Sequence, residues 1–264
     1  MRISLIMPRF LSFLFCCTSF VCFSQSLLPH QHAHAHNDYK QIHPLKDALQ
    51  NRFTSVEADV HLQDGKLWVS HNHPDKNTPS LEKLYLTPLD SLLKRNSGKI
   101  YAETESPFYL MLDIKTEAGI TFLAIQKALQ SYPRLRCVRE NCPVKIFVSG
   151  NRPVSTMVKE GYAGIGLDGR PDDLGKGYSA DLMPVISDHF KNWSDWNGIS
   201  KPSTQDFQRI KDLAQRVHDE KKKLRLWAIP DNEVAWEALL DAGVDLINTD
   251  HLAELNHFLN QKRL

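Results

Sequence analysis

The sequence predicts an α/β fold of the (β/α)8 TIM-barrel type. Three features carry that expectation. The runs "YLMLDIK", "PVKIFVS" and "MPVIS" are nearly continuous in apolar residues, as strands buried on both faces of a parallel sheet are. Segments such as "TPLDSLLKR" and "PSTQDFQRIKDLAQRVHDE" repeat apolar residues three and four apart behind Thr, Ser or Pro, the pattern of capped amphipathic helices. The two kinds of segment alternate along the chain, and no linker or low-complexity stretch divides it. A doubly wound open sheet is the alternative, and the lack of a GxGxxG or GxxxxGK(S/T) loop weighs against its nucleotide-binding form.

In chain order, the first segment is expected to leave before the fold forms. Arg2 and Arg9 precede the apolar run "FLSFLFCCTSFVCF", with Ser24 and Ser26 behind it, which reads as a secretory signal over residues 1–24. The run is shorter than the roughly 20 residues that span a bilayer. The mature chain, 25–264, is then expected as a single exported domain, periplasmic or secreted, without a membrane span. Strands are predicted near 32–36, 54–60, 66–70, 109–114, 144–149, 163–167, 183–187, 224–229 and 244–248. Helices are predicted near 44–52, 80–96, 117–131, 152–160, 203–222, 231–242 and 251–260.

Without Arg2 and Arg9, thirty cationic side chains face thirty-one carboxylates, a net charge of −1. Such a balance provides no strong field for nucleic acid or an anionic membrane. The run "KKKLR" at 221–225 reads as a helix C-terminus. Of five cysteines, Cys137 and Cys142 lie outside the signal, and an even pair in an exported chain predicts a local disulfide.

A barrel gathers its chemistry at the C-terminal ends of its strands, and acids and histidines are plentiful there. In "SVEADVHLQDGKLWVSH", Glu57 and Asp59 lie two apart on a strand and share a face. Paired carboxylates repel, and a divalent cation with hard oxygen ligands, Mg²⁺ or Ca²⁺, relieves the repulsion. A solvated strand face is the plain alternative. A three-residue "QDG" loop with Gly65 left-handed is favoured in the hairpin. It sets Leu62 opposite Lys66 and Glu57 opposite His71, which puts His71 on the carboxylate face. A two-residue Asp64-Gly65 turn would put His71 on the other face. Asp113 interrupts the next apolar strand and requires a partner: a metal, Lys115 two residues on, or both. Lys115 could also reach a phosphate oxygen. His36, from "AHAHNDY", and His71 would flank three acids on a cation, the inventory for general acid–base cleavage of a phosphoryl bond.

These motifs resemble the phospholipase C-like phosphodiesterases, a superfamily that includes glycerophosphodiester phosphodiesterases and the sphingomyelinase D toxins. The match consists of His36 on the first strand, the Glu57–Asp59 pair, the DG turn, His71, Asp113, and "LRLWAIPDNEVAWEALLDAGVDLINTDHLAEL" with its aromatic Trp227. "HAHNDYKQIHPLKDAL" with "SVEADV" is closer still to the altered inheritance of mitochondria protein 6-like group. The resemblance spans roughly residues 34 to 256. It implies a distorted barrel and one divalent cation held by Glu57, Asp59 and Asp113. It also implies cleavage of a small-molecule or lipid-headgroup phosphodiester, with His36 and His71 as acid and base. Glycerophosphodiesterases usually carry His-Arg-Gly on the first strand, whereas this chain has His36-Asn37-Asp38. Asn37, Lys115 or Arg152 is expected to take over the phosphate, with Trp227 walling the pocket or packing in the core.

Two other functional classes stay open. His34 with His36 forms an HxH pair of the kind found in amidohydrolases and polymerase-and-histidinol-phosphatase-type metallohydrolases, although such sites need further histidines on later strands, where mainly acids stand and His189 is the one late candidate. A non-catalytic barrel that captures a headgroup or glycan is the other. His30, His32 and His43 read as solvated or capping groups. Trp193 and Trp196 could greet a lipid or sugar-like headgroup or pack over the mouth, and Asn248 and Asp250 read as structural or as supports behind the site residues.

Overall fold

The computed structural model describes residues 28–136 and 142–262. Nine strands are defined: β1 (His30–Ala35), β2 (Phe53–Gln63), β3 (Lys66–Val69), β4 (Phe108–Ile114), β5 (Val144–Gly150), β6 (Gly166–Gly169), β7 (Val185–His189), β8 (Lys223–Trp227) and β9 (Leu246–Thr249). Eight of them close a parallel barrel in the order β1-β2-β4-β5-β6-β7-β8-β9, and β9 returns to β1. β3 is an antiparallel hairpin partner on β2. The helices are α1 (Lys46–Gln50), α2 (Thr87–Arg95), α3 (Ala118–Leu129), α4 (Val154–Glu160), α5 (Thr204–Asp219), α6 (Glu233–Asp241) and α7 (Leu252–Lys262). The expected α/β barrel is therefore present. It is distorted between β6 and β7, where a 3-10 turn at Pro171–Asp173 stands in the place of a full helix.

The helices form where the pattern predicted, for local reasons. Ser203 accepts the Asp206 amide and Asn232 the Ala235 amide, satisfying orphan donors at the starts of α5 and α6. The Glu117 carboxylate does the same for Gly119 and Ile120 at α3. α5 buries Ile210, Leu213, Ala214 and Val217 along one stripe against the barrel wall.

Alternation along the strands divides the interior into two layers. Tyr109, Met111, Phe147, Val185 and Leu246 form a buried apolar cluster. Two residues on, towards the C-terminal ends of their strands, stand Asp113, Ser149, Ser187 and Asn248. The barrel is thus apolar below and polar at its mouth. Among the described residues no helix is long and apolar enough to cross a membrane.

The predicted signal over 1–24 lies outside the described residues, as does Cys137 of the expected disulfide; Cys142 is buried. Two surface readings are corrected. His30 is buried and bonded to Asn256 at 2.7 Å, and His32 bonds the Asp245 carbonyl at 3.0 Å. β1 starts at His30, in register with Phe53, so these side chains belong to the barrel. His43 does act as a local group, against Asp47 at the start of α1. The "KKKLR" run does not end a helix: from Lys223 it is β8, and the Arg225 side chain is buried inside the barrel.

Candidate active site

The hairpin differs from the expectation. Gln63 pairs with Lys66 and Leu62 with Leu67, so the loop has two residues, Asp64 and Gly65, at φ 53° and 72°. That is the positive-φ pair required of a type I′ turn, which matches the twist of the flanking strands. Strict alternation would then carry His71 to the far face. It does not, because β3 ends at Val69. The Ser70 amide makes a last bond to the Asp59 carbonyl at 3.2 Å, and His71 leaves the sheet in a bend. Freed from the pleat, its Nδ1 approaches Asp59 Oδ2 at 3.1 Å.

Three carboxylates converge at the mouth. Glu57 and Asp59 come from β2 and Asp113 from β4, with Asp59 in register beside Asp113. One oxygen of each lies within 4.8 Å of the others. Gly150 makes this approach possible. At φ 65° it takes a conformation that favours glycine, and a Cβ there would fall 2.0 Å from Asp113 Oδ1. The Lys115 ammonium lies 3.1 Å from Asp113 Oδ2 and 3.3 Å from Asp59 Oδ1. Burial, against the pull of Lys115, raises the Asp113 carboxyl, and Glu57 and Asp59 add to the rise. Burial would lower the Lys115 ammonium, but Asp113 and Asp59 raise it.

Beneath the acids runs a buried network that sequence reasoning missed. Arg225 donates to Glu57 Oε2 at 2.7 Å and to Asn248 Oδ1 at 3.0 Å. His34, fully buried, bonds Ser55 at 2.6 Å and Glu57 Oε2 at 3.4 Å. Burial would raise the Glu57 carboxyl; Arg225 and the His34 bond bring it down to about 2. Burial pulls His34 down to about 4, which keeps the ring neutral. His34 therefore serves the network below the mouth, and among the described residues the metal-competent cluster consists of acids. This disfavours the HxH reading. The available signal for Arg225 was its position two residues before Trp227, on the same strand face.

The two histidines above the acids are joined through polar groups. His36 Nδ1 lies 2.9 Å from Asp250 Oδ1, and Asn37 Nδ2 lies 3.2 and 3.1 Å from the two ring nitrogens of His36. Asn37 takes a left-handed backbone, φ 48°, which Asn tolerates well. Tyr39, also missed from sequence, lies with its hydroxyl 2.8 Å from Asn37 Oδ1 and 2.7 Å from Asp59 Oδ2. Its hydroxyl is also 3.4 Å from His71 Nδ1. Burial, then Asp59, raises the Tyr39 phenol, so it stays protonated. A path His36–Asn37–Tyr39–Asp59–His71 thus connects both rings. Each ring turns Nδ1 towards a carboxylate. His71 keeps Nε2 for the opening.

The remaining candidates stand further round the rim. Trp227 stacks edge-on against His189, centroids 4.2 Å apart. Trp193 bonds Asp188 at 2.8 Å and packs against the core, and Trp196 bonds the Ser200 carbonyl at 2.6 Å. Arg152 is not on the acid cluster; its guanidinium donates to the Asp168 carbonyl. A separate groove of about 840 Å³ lies outside the barrel between α1 and α2, lined by Leu45, Leu49, Leu84 and Leu92 among others, and holds none of the mouth residues.

The donor set fits a divalent cation. Asp113 Oδ1 is buried without a hydrogen-bond partner, and Asp59 Oδ1 has only the Lys115 ammonium at 3.3 Å, an arrangement costly for clustered carboxylates unless a further cation completes it. Among the described residues only Oε2 of Glu57 is hydrogen-bonded, which leaves Oε1 for an ion. The acids, two histidines and barrel mouth define a phosphodiesterase-type (β/α)8 protein.

Comparison with known proteins agrees. The chain belongs to the AIM6-like phosphodiesterase domain family, whose pattern matches residues 22–161, and residues 223–253 match the glycerophosphoryl diester phosphodiesterase family. It is similar to altered inheritance of mitochondria protein 6 of Eremothecium gossypii, 25% identical over 85% of this chain and 68% of that protein. Its counterpart in Lachancea thermotolerans is 26% identical, over 85% and 64%. The Saccharomyces cerevisiae protein is 25% identical over 83% and 68%. The chain spans about two thirds of the length of these curated relatives.

Proposed function

We propose that the protein is an exported phosphoric diester hydrolase that requires one divalent cation, Ca²⁺ or Mg²⁺, and acts on a glycerophosphodiester or phospholipid-headgroup-type substrate. The observation that carries this reading is the convergence of Glu57, Asp59 and Asp113, with Asp113 Oδ1 buried and unpartnered, beside two carboxylate-oriented histidines.

Glu57, Asp59 and Asp113 would hold the ion, which supplies Lewis-acid polarisation of a phosphoryl oxygen. Lys115 brings a second positive charge to the phosphate. Asp59 fixes the His71 tautomer by taking its Nδ1 proton in a hydrogen bond, so that Nε2 exchanges protons with substrate. Asp250 orients His36 in the same way. One ring removes the proton of the attacking hydroxyl, and the other protonates the leaving oxygen. Asn37 lies against His36 at the position where glycerophosphodiesterases usually carry arginine, and serves as a neutral donor to phosphate. His189 and Trp227 wall one side of the opening.

Turnover of bis-p-nitrophenyl phosphate with Ca²⁺ or Mg²⁺, and after EDTA, tests the proposal. Metal-dependent release of nitrophenol supports it. Undiminished binding of headgroups with no turnover would favour a capture protein instead.

A further inference from the structure

Two arginines meet at the rim beside the acid site. Arg152 follows β5 and Arg170 follows β6, so both leave the C-terminal ends of neighbouring strands. Both reach inward to one buried residue, Asp168. Arg170 donates to Asp168 Oδ2 and to the Gly169 carbonyl, each at 2.8 Å, and Arg152 donates to the Asp168 carbonyl. Asp168 is already committed to Ser149 at 2.7 Å and Ser187 at 2.6 Å. One residue therefore anchors two guanidinium groups, Arg170 through its carboxylate and Arg152 through its main-chain carbonyl. Among the described residues no carboxylate forms an ion pair with Arg152. Asp173, the other acid of this corner, is held by the Arg170 amide and by Lys176. Burial, then the like charge of Arg170, lowers the Arg152 guanidinium, against the opposing pull of Asp168, Asp173 and Asp113. The corner adjoins the acid site, because Arg152 lies two residues beyond Gly150, where an added Cβ would fall against Asp113 Oδ1.

Like charges held together near a low-dielectric mouth repel, and an anion shared between them removes the repulsion. We infer that Arg152 and Arg170 form a clamp for a second anionic group of the substrate, separate from the diester phosphate handled at Glu57, Asp59, Asp113 and Lys115. The preferred substrate is then a phosphodiester whose alcohol carries a further phosphate or a carboxylate, in preference to one with a neutral or cationic headgroup. This inference rests on the phosphodiesterase reading for the position of the first phosphate.

Calorimetric titration with Ca²⁺ present tests it without turnover. The probes are two matched pairs: myo-inositol 1,4-bisphosphate against myo-inositol 1-phosphate, and phosphoserine against phosphoethanolamine. Binding at least about tenfold tighter for the extra anion is expected in one pair at minimum, which identifies phosphate or carboxylate as the group. In Arg170→Gln and in Arg152→Gln that ratio should fall towards one, and Arg170→Lys should keep part of it. Thermal unfolding of each variant shows whether it is folded, and Arg152→Gln gives up only a bond to a carbonyl. Equal binding within both pairs in the unmodified protein, or a ratio unchanged in both folded glutamine variants, overturns the clamp. Loss of bis-p-nitrophenyl phosphate turnover alongside an intact Arg-dependent ratio would sink the hydrolase reading and leave the clamp standing.

Discussion

His71 shows how a single side chain escapes the geometry of its strand. The alternation of β3 would point it away from Asp59, yet the chain leaves the sheet one residue earlier and the ring returns at 3.1 Å. His71→Asn should therefore reduce kcat by about 10²–10⁴, the usual weight of one acid–base group. Calorimetric affinity for Ca²⁺ should stay within a few-fold, since the ring is not a ligand. A large loss of metal affinity would contradict its role. Tyr39→Phe removes a hydroxyl 2.7 Å from Asp59 and 2.8 Å from Asn37. Loss of a hydrogen bond to a charged group costs about 1.5–3 kcal/mol. A fall in kcat/KM of ten-fold or more is expected, together with a melting temperature lower by several degrees. The acids could be read from the sequence because their spacing on β2 and β4 is their geometry, whereas His71 reaches them only after leaving β3. Tyr39 could not: it lies on a short 3-10 turn, where no periodicity announces a direction.

At the scale of elements, the site depends on contacts between neighbouring strands. Gly150→Ala forces a left-handed alanine, at about 1–2 kcal/mol, and drives a methyl group into Asp113. Destabilisation in urea together with weakened Ca²⁺ binding is expected; unchanged metal affinity would mean that Asp113 is not a ligand. Arg225→Leu leaves Glu57 and Asn248 without their partner inside the barrel. Removing one member of a buried ion pair costs about 3–5 kcal/mol, so the urea midpoint should drop sharply. Strand positions were legible from apolar runs, with ends displaced by a few residues. The inward face of β8 was not, because Arg225 stands in a lysine-rich run that resembles a solvated helix end. The hairpin register was also misread: Asp64-Gly65 satisfies either loop, and the choice rested on assuming that His71 stays in the pleat.

For the molecule as a whole, buried titrating groups set the pH dependence of stability. His34 is held neutral, so the unfolded chain takes up its proton more readily, and stability is lost as pH falls from about 6.5 to 4. Burial raises Asp38 to about 6, so the folded form keeps that proton, and stability is lost as pH rises from about 4 to 6. Across this shared window the two oppose one another. Glu57, brought down to about 2, loses its contribution as pH falls below 4.5. Urea unfolding of the EDTA-treated protein should show a shallow profile from pH 6 to 4.5 and a steep fall below 4. Asp38→Asn should expose the His34 term, on the order of 3 kcal/mol between pH 6.5 and 4. A flat profile in that variant would contradict the assignment.

The apolar lower layer supports the polar mouth, and the mouth is organised around three acids. Crystals soaked in Mn²⁺, an oxygen-preferring stand-in for Ca²⁺ and Mg²⁺, test this most directly through the anomalous signal. One strong peak bonded to oxygens of Glu57, Asp59 and Asp113 together is predicted. A mouth without a peak at millimolar Mn²⁺, or an ion that leaves those acids untouched, would contradict it.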